Sequence, residues 1–388
     1  EGDAFNSREV QQARRDIRGL GFFSSVDVET QRGSADDQAE ILVTVEEQPT
    51  GSLTFGAGFS TGEGILGEVS VSERNFLGRG QFVRARAVVS GRQQVGDFTF
   101  REPAFLDRDL GVGFNIFYRL EDRDDESSFE ETNFGFVPTV SFPLSENGEI
   151  SLRYNISSDE IRDVRSTASP LIAADKGTAI TSSVGYTYTF DRRDDPLEPT
   201  TGYLLRFSQD LAGLGGDAQF LRTTALASAF TSFLNEDVIV SAEVEGGIIQ
   251  GFGYDLRITD RFFLGGDRFR GFARGGIGPR DQNTDDALGG NIFAVLRNEV
   301  SFPLGLPDEL GIAGGLFADV GTLFKLDRTN AGGTEIDDDP KLRASVGASI
   351  FWDSAFGPLR VNFAIPLVEE DGDEDEFFRL TEIGRAHV

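Results

Sequence analysis

The 388 residues carry 65 acidic against 36 basic side chains, a formal charge of −29, which excludes nucleic acid as a partner because phosphate contacts need a basic footprint. There is no cysteine and the one histidine is the penultimate residue, so a disulfide framework, a thiol nucleophile, a His-dependent triad and the usual zinc site are excluded. No stretch approaches the roughly 18 consecutive apolar residues of a membrane helix, but a barrel strand crosses in about 9 to 11 residues with only alternate ones on lipid, and the 47 glycines and 35 phenylalanines suit turns and such strands.

Residues 1–48 read as a small α/β module. Asn6 or Ser7 can cap a helix from Arg8 to Arg18, with Val10, Ala13 and Ile17 on one face and Gly19 or Gly21 as its stop. Two strands follow, Phe22 to Gln31 and Ala39 to Glu46, joined by a turn at Gly33 to Asp37, with Ile41, Val43 and Val45 on one face.

From Gly51 the period becomes two, and residues 49–381 read as an all-β, antiparallel transmembrane barrel. Leu152, Tyr154 and Ile156 alternate with Arg153 and Asn155; Val184, Tyr186, Tyr188 and Phe190 with Ser183, Gly185, Thr187 and Thr189; Val361, Phe363 and Ile365 with Arg360, Asn362 and Ala364. Arginines repeated on one side of strands, as with Arg84 and Arg86, are costly in a dry sandwich core and suit a hydrated lumen. About sixteen such segments are separated by Gly, Asp, Asn and Pro clusters, an even number as antiparallel closure requires. Asp122 to Glu130, Ser158 to Lys176, Gly251 to Gly290 and Leu326 to Asp339 read as long solvated loops.

Two acidic clusters, Glu121 to Asp125 around Arg123 and Asp371 to Glu376 around Gly372, lack the spacing of a calcium loop and read as solvated turns. Gly275-Gly276-Ile277-Gly278-Pro279 has no preceding buried strand and following helix, so it reads as a flexible loop and not a phosphate cradle. No catalytic residue, metal or cofactor is expected. The segment that stands out is Gly265-Gly266-Asp267-Arg268-Phe269-Arg270-Gly271-Phe272, because a long loop carrying bulky aromatic anchors points to function. Without methionine or a signal peptide, the chain looks like a fragment of a longer precursor. Residues 382–388 read like translated sequencing adapter and are set aside as non-native, His387 with them.

Arg270-Gly271-Phe272 after Gly265-Gly266 resembles the loop-six motif of the outer-membrane assembly factor superfamily. Gly19-Leu20-Gly21-Phe22-Phe23 followed by Val26, Asn75 to Gly80, Phe98 to Pro103 and Gly289-Gly290-Asn291 are similar, in the same order, to stretches of its BamA family. The resemblance implies a 16-stranded barrel preceded by part of the last periplasmic POTRA repeat, whose first strand and helix are missing. It implies that the sixth loop, with Phe269, Arg270, Gly271 and Phe272, folds into the lumen, where Arg270 pairs with Glu299 and Asp319.

It further implies a non-enzymatic insertase of a Gram-negative outer membrane, working on unfolded outer-membrane protein clients with accessory lipoproteins of the assembly machinery at the POTRA portion and lipid around the barrel. The first strand, Ser52, Leu53, Thr54, Phe55, Gly56, Ala57, Gly58 and Phe59, would template a client strand at a lateral gate. Gly56 and Gly58 fit close approach of another backbone and equally a barrel bend. The last strand, Phe377, Phe378, Arg379, Leu380 and Thr381, departs from the family's aromatic ending and reads as truncated. An autotransporter-assembly factor or two-partner secretion pore shares the barrel and the motif; a passive porin fits neither the motif nor the N-terminal module.

Overall fold

The structure is a computed structural model and describes residues 6–35, 38–354 and 357–382. At the N-terminus, Asn6 caps helix α1 (Ser7–Gly19): its Oδ1 accepts from the Arg8 backbone N–H at 3.0 Å, satisfying one of the donors a first turn leaves open. Strands β1 (Phe23–Arg32) and β2 (Ala39–Glu47) form an antiparallel hairpin in which Val26 faces Val45 and Val28 faces Val43. Gly33 donates to the Gln38 carbonyl at 2.9 Å across the expected reversal, of which Asp36 and Asp37 lie outside the described residues. Val26 is buried, whereas Ile41, Val43 and Val45 are exposed.

The remaining chain is one antiparallel sheet of sixteen strands among the described residues. It begins with β3 (Gly51–Ser60), β4 (Gly64–Phe76), β5 (Gln81–Val89), β6 (Gln93–Glu102) and β7 (Gly111–Asp122). After the short helix α2 (Asp124–Ser127) come β8 (Glu130–Ser145) and β9 (Gly148–Arg162), then helix α3 (Pro170–Ala174). Next are β10 (Gly177–Asp191), β11 (Gly202–Gly216), β12 (Phe220–Phe233) and β13 (Val238–Gly251). The loop that follows contains a small hairpin, β14 (Arg280–Asp281) and β15 (Asp286–Ala287), before β16 (Ile292–Pro303) and β17 (Ile312–Phe324). A second hairpin, β18 (Asn330–Ala331) and β19 (Thr334–Glu335), precedes β20 (Arg343–Ser354), β21 (Gly357–Val368) and β22 (Phe378–Glu382).

Every barrel strand pairs with its predecessor in the sheet, and β3 and β22 stand at the two ends of the strand order. The alternation seen in the sequence sets the two faces. Leu53, Phe55, Val69 and Val71 are exposed on the outer face, with Leu53 opposite Val71 and Phe55 opposite Val69. The intervening positions hold lumen ion pairs: Arg86 with Glu68 at 2.9 Å, and Arg153 with Asp210 at 2.5 Å. An outward apolar band and an inward charged one identify a transmembrane barrel. No helix among the described residues is long and apolar enough to cross a membrane, so strands do the crossing.

The connections differ in length. Long ones, including 252–291 and 325–342, gather at one end with α2 and α3, while short turns such as 77–80 and 146–147 lie at the other. The N-terminal module sits by the short-turn end. The ring of Phe22 lies so close to Gly80 that a Cβ there would stand 3.6 Å from it, and Asn75 holds that turn by accepting from the Gly80 N–H at 2.7 Å. Two of the motifs read separately in the sequence therefore meet in space.

Two expectations need correction. The acidic clusters are not simply solvated: Asp373 and Arg343 form a buried ion pair at 2.9 Å, Glu374 pairs with Arg280 at 2.5 Å, and Glu126, next to the first cluster, is buried against Arg92 at 2.5 Å. The run 275–279 is packed, with Ile277 buried and the Gly276 carbonyl accepting from the Glu374 N–H at 2.9 Å. Glu382, the first residue of the adapter-like tail, stands opposite Leu359 at the end of β22, and residues 383–388 of that tail lie outside the described residues.

Candidate functional site

The loop from residue 252 to 291 turns back into the lumen because its apolar side chains have somewhere dry to go. Phe269 and Phe272 have no solvent exposure, meet edge to face with ring centres 5.3 Å apart, and join Leu264, Ile277, Phe293, Val295 and Leu323 in one buried cluster. The strand wall makes room for them. A Cβ on Gly321 would stand 2.7 Å from the Phe269 ring and 2.7 Å from the Ala294 carbonyl, so this wall position needs glycine. Gly271, between Arg270 and Phe272, has φ +92° and would place a Cβ 2.9 Å from that of Ser345, so it too is held to glycine.

Arg270 is thereby carried to charged partners on two neighbouring strands, β16 and β17. Its Nε donates to Asp319 Oδ2 at 2.8 Å, its Nη2 to Asp319 Oδ1 at 2.5 Å, and its backbone N–H to Asp319 Oδ2 at 3.1 Å. Nη1 donates to Glu299, whose same oxygen also accepts from Arg360 of β21. The guanidinium stacks 3.7 Å from the ring centre of Phe317, and its carbonyl accepts from Ser345 Oγ at 2.5 Å. Burial works against the charge of Arg270, but Asp319 and Glu299 outweigh it and hold the guanidinium above its ordinary pKa. The partners named from the sequence, Glu299 and Asp319, are thus brought to Arg270.

Several members of this network had no separate signal in the sequence. Arg297, opposite Asp319 in register, donates to Glu243 at 2.5 Å, to Glu245 at 2.6 Å and to the Arg268 carbonyl at 2.7 Å; Arg268 in turn donates to Glu245 at 2.7 Å. Their lumen-facing parity was readable, but which strand neighbour each would meet depends on register.

The loop also pairs with the segment before the last strand. Ala273 N–H donates to the Glu374 carbonyl at 2.8 Å, and Glu376 N–H to the Gly271 carbonyl at 3.0 Å. On the other side Arg274 reaches Glu63, just past β3, at 3.1 Å. The loop therefore touches both sides of the join between β3 and β22. At that join, among the described residues, one backbone hydrogen bond crosses from Thr61 N–H to the Leu380 carbonyl of β22 at 3.1 Å. Ser52 to Phe59 lie within β3, bonded to β4 on one side and, among the described residues, with no ladder partner on the other.

The Omp85 superfamily domain matches residues 75–384, most of the chain. The chain belongs to the Omp85 superfamily. Among Omp85 relatives, outer membrane protein assembly factor BamA of Neorickettsia risticii (strain Illinois) is 35% identical over 376 residues, 96% of this chain and 50% of that protein. The sorting and assembly machinery component 50 homolog of Homo sapiens is 27% identical over 402 residues, 96% of this chain and 82% of that protein. The crystal structure of BamA from Haemophilus ducreyi lacking POTRA domains 1–3 superposes with a TM-score of 0.84 at 23% identity, covering 98% of this chain and 79% of that one, a likeness of fold. The chain spans about half the length of the bacterial assembly factors it matches.

Proposed function

We propose that this Omp85 barrel is the membrane part of an outer-membrane protein assembly factor that inserts β-barrel clients by templating their strands on the free edge of β3. The observation that carries the reading is the loop locked in the lumen by Arg270, Asp319 and Glu299 and laddered to the segment before β22, which sets it beside the two ends of the strand order. An unpaired strand edge offers a row of backbone donors and acceptors to an extended client segment, which is how β-augmentation works. No bond is made or broken, and no catalytic group or cofactor is required. Arg270 and its partners keep the loop inside the lumen, next to that edge.

Residues 6–48 are read as part of the last POTRA repeat, in the periplasm of a Gram-negative cell and open to accessory lipoproteins and arriving clients, a reading that their position at the short-turn end of the barrel supports. The names of the relatives support the assembly reading. To test it, residues 49–381 are grafted onto the N-terminal part of a host assembly factor carrying a family-type last strand, with cysteines at Thr61 and Leu380. The reduced graft is expected to sustain outer-membrane barrel assembly when the host factor is depleted, and disulfide closure of the join to stop it. A graft that folds in the membrane yet never supports assembly would favour a secretion pore, and one that works with the join locked would remove the template mechanism.

A further inference from the structure

Beneath the folded-in loop, beside the join, lies a cavity of about 420 Å³. Six arginines, Arg123 among them, line it against two carboxylates, those of Glu63 and Asp267. Arg268, Arg274 and Arg379 are already engaged, with Glu245 at 2.7 Å, Glu63 at 3.1 Å and Glu376 at 2.8 Å respectively. Arg222 and Arg261 also line it and differ from these. Arg261, 6% exposed, donates from its terminal nitrogens only to backbone carbonyls, of Leu288 at 3.1 Å and Leu256 at 2.9 Å. Arg222 donates to the carbonyl of Asp260 at 2.5 Å and lies against the rings of Phe220 and Phe262, 5.2 and 5.7 Å from their centres. The Nε–H of each is buried without an acceptor among the described residues.

Carbonyls satisfy donors but neutralise no charge, and a buried guanidinium left so is expensive. Asp260 acts on Arg222, and Asp175, Asp327 and Asp260 on Arg261, through charge alone, with no carboxylate hydrogen-bonded to either guanidinium among the described residues. Burial raises Asp260 above its ordinary range despite Arg222, and it lines a separate small polar cavity with Asp159. Burial likewise pulls Arg261 below its ordinary range, which Asp175 and Asp327 only partly oppose, since they are held by the backbone N–H groups of Ile258 and Leu256.

We propose that this cavity is an anion site that takes a phosphomonoester group, held between Arg222 and Arg261 with Thr259 on its wall. Two guanidinium groups carried by different elements suit a group of about two negative charges and three free oxygens, whereas a planar carboxylate is satisfied by one. The volume leaves room for the sugar or glycerol that carries the phosphate. Ser60 and Gly62 beyond β3 and Arg379 on β22 also line it. The cavity therefore runs from Arg222 on β12 to the join near the long-loop end, where a headgroup phosphate can enter from the membrane and a free phosphate from solution.

The test uses the full chain folded into phosphatidylcholine vesicles, its unfolding midpoint followed with inorganic phosphate or acetate at matched ionic strength, and in vesicles that also contain phosphatidic acid. Phosphate is expected to raise the midpoint and acetate to leave it unchanged, with the apparent phosphate affinity weakened about tenfold in Arg222→Gln, the loss of one charged hydrogen-bonding partner. Arg222, only half-buried, is the variant that should fold; Arg222→Lys should recover part of the affinity. Stabilisation by phosphatidic acid that Arg222→Gln abolishes assigns the headgroup as the source, and stabilisation by inorganic phosphate alone assigns the free anion. No stabilisation by either, an equal effect of acetate, or affinity unchanged in Arg222→Gln overturns the site.

Discussion

Asp319 has no solvent exposure, and Arg270 supplies three of its hydrogen bonds. Removing the guanidinium strands that carboxylate, at up to about 3–5 kcal/mol less what a hydrated lumen recovers. Arg270→Ala should therefore free the loop, read as protease cleavage within 252–291 at temperatures where the parent resists, and Arg270→Lys should fall between, because an ammonium keeps the charge and loses the fork. Partner substitutions should not be equivalent. Glu299 shares one oxygen between Arg270 and Arg360, so Glu299→Gln leaves Arg270 its bidentate partner, and Asp319→Asn should release the loop more readily. Equal cleavage in the two would refute the assignment of Asp319 as the principal anchor. Arg270, Glu299 and Asp319 were legible from the motif and its matching strand positions. Arg268, Arg297 and Ser345 were not, because their contacts are made by strand register and by a loop that returns across the lumen.

At the scale of elements, the period-two alternation exposed the strands and their faces, since each strand buries polar groups inward and shows apolar ones to lipid. The acidic run before β22 misled for a related reason: its partners Arg343 and Arg280 lie 30 and 94 residues away, so nothing local marks it as paired. That run does structural work, because its backbone ladders with the loop at Ala273, Gly276 and Gly271. Glu374→Pro removes the N–H that donates to the Gly276 carbonyl and fixes the residue's φ. Amide exchange should then quicken in residues 271–276 and in β22 while β8 to β12 stay protected. Exchange that quickens only at residue 374 and its neighbours would show that the loop and the last strand are not fastened to one another.

For the whole molecule, the faces of sixteen strands must share one slab of lipid, and the chain carries its own reporter of where that slab ends. Its one tryptophan, Trp352, is 46% exposed and sits near the short-turn end of β20, opposite Leu359 and Ile312. An amphipathic ring at a strand end, pointing outward among apolar neighbours, belongs to the interfacial girdle that flanks a barrel's apolar band. In vesicles its fluorescence should be quenched more by lipids brominated close to the headgroup than by lipids brominated at the chain ends. It should also respond weakly to aqueous quenchers. The reverse order of the two brominated lipids would put Trp352 at the bilayer centre and shift the band along the strands. Strong aqueous quenching with no lipid effect would instead leave the outer face in water, and the transmembrane reading would go with it.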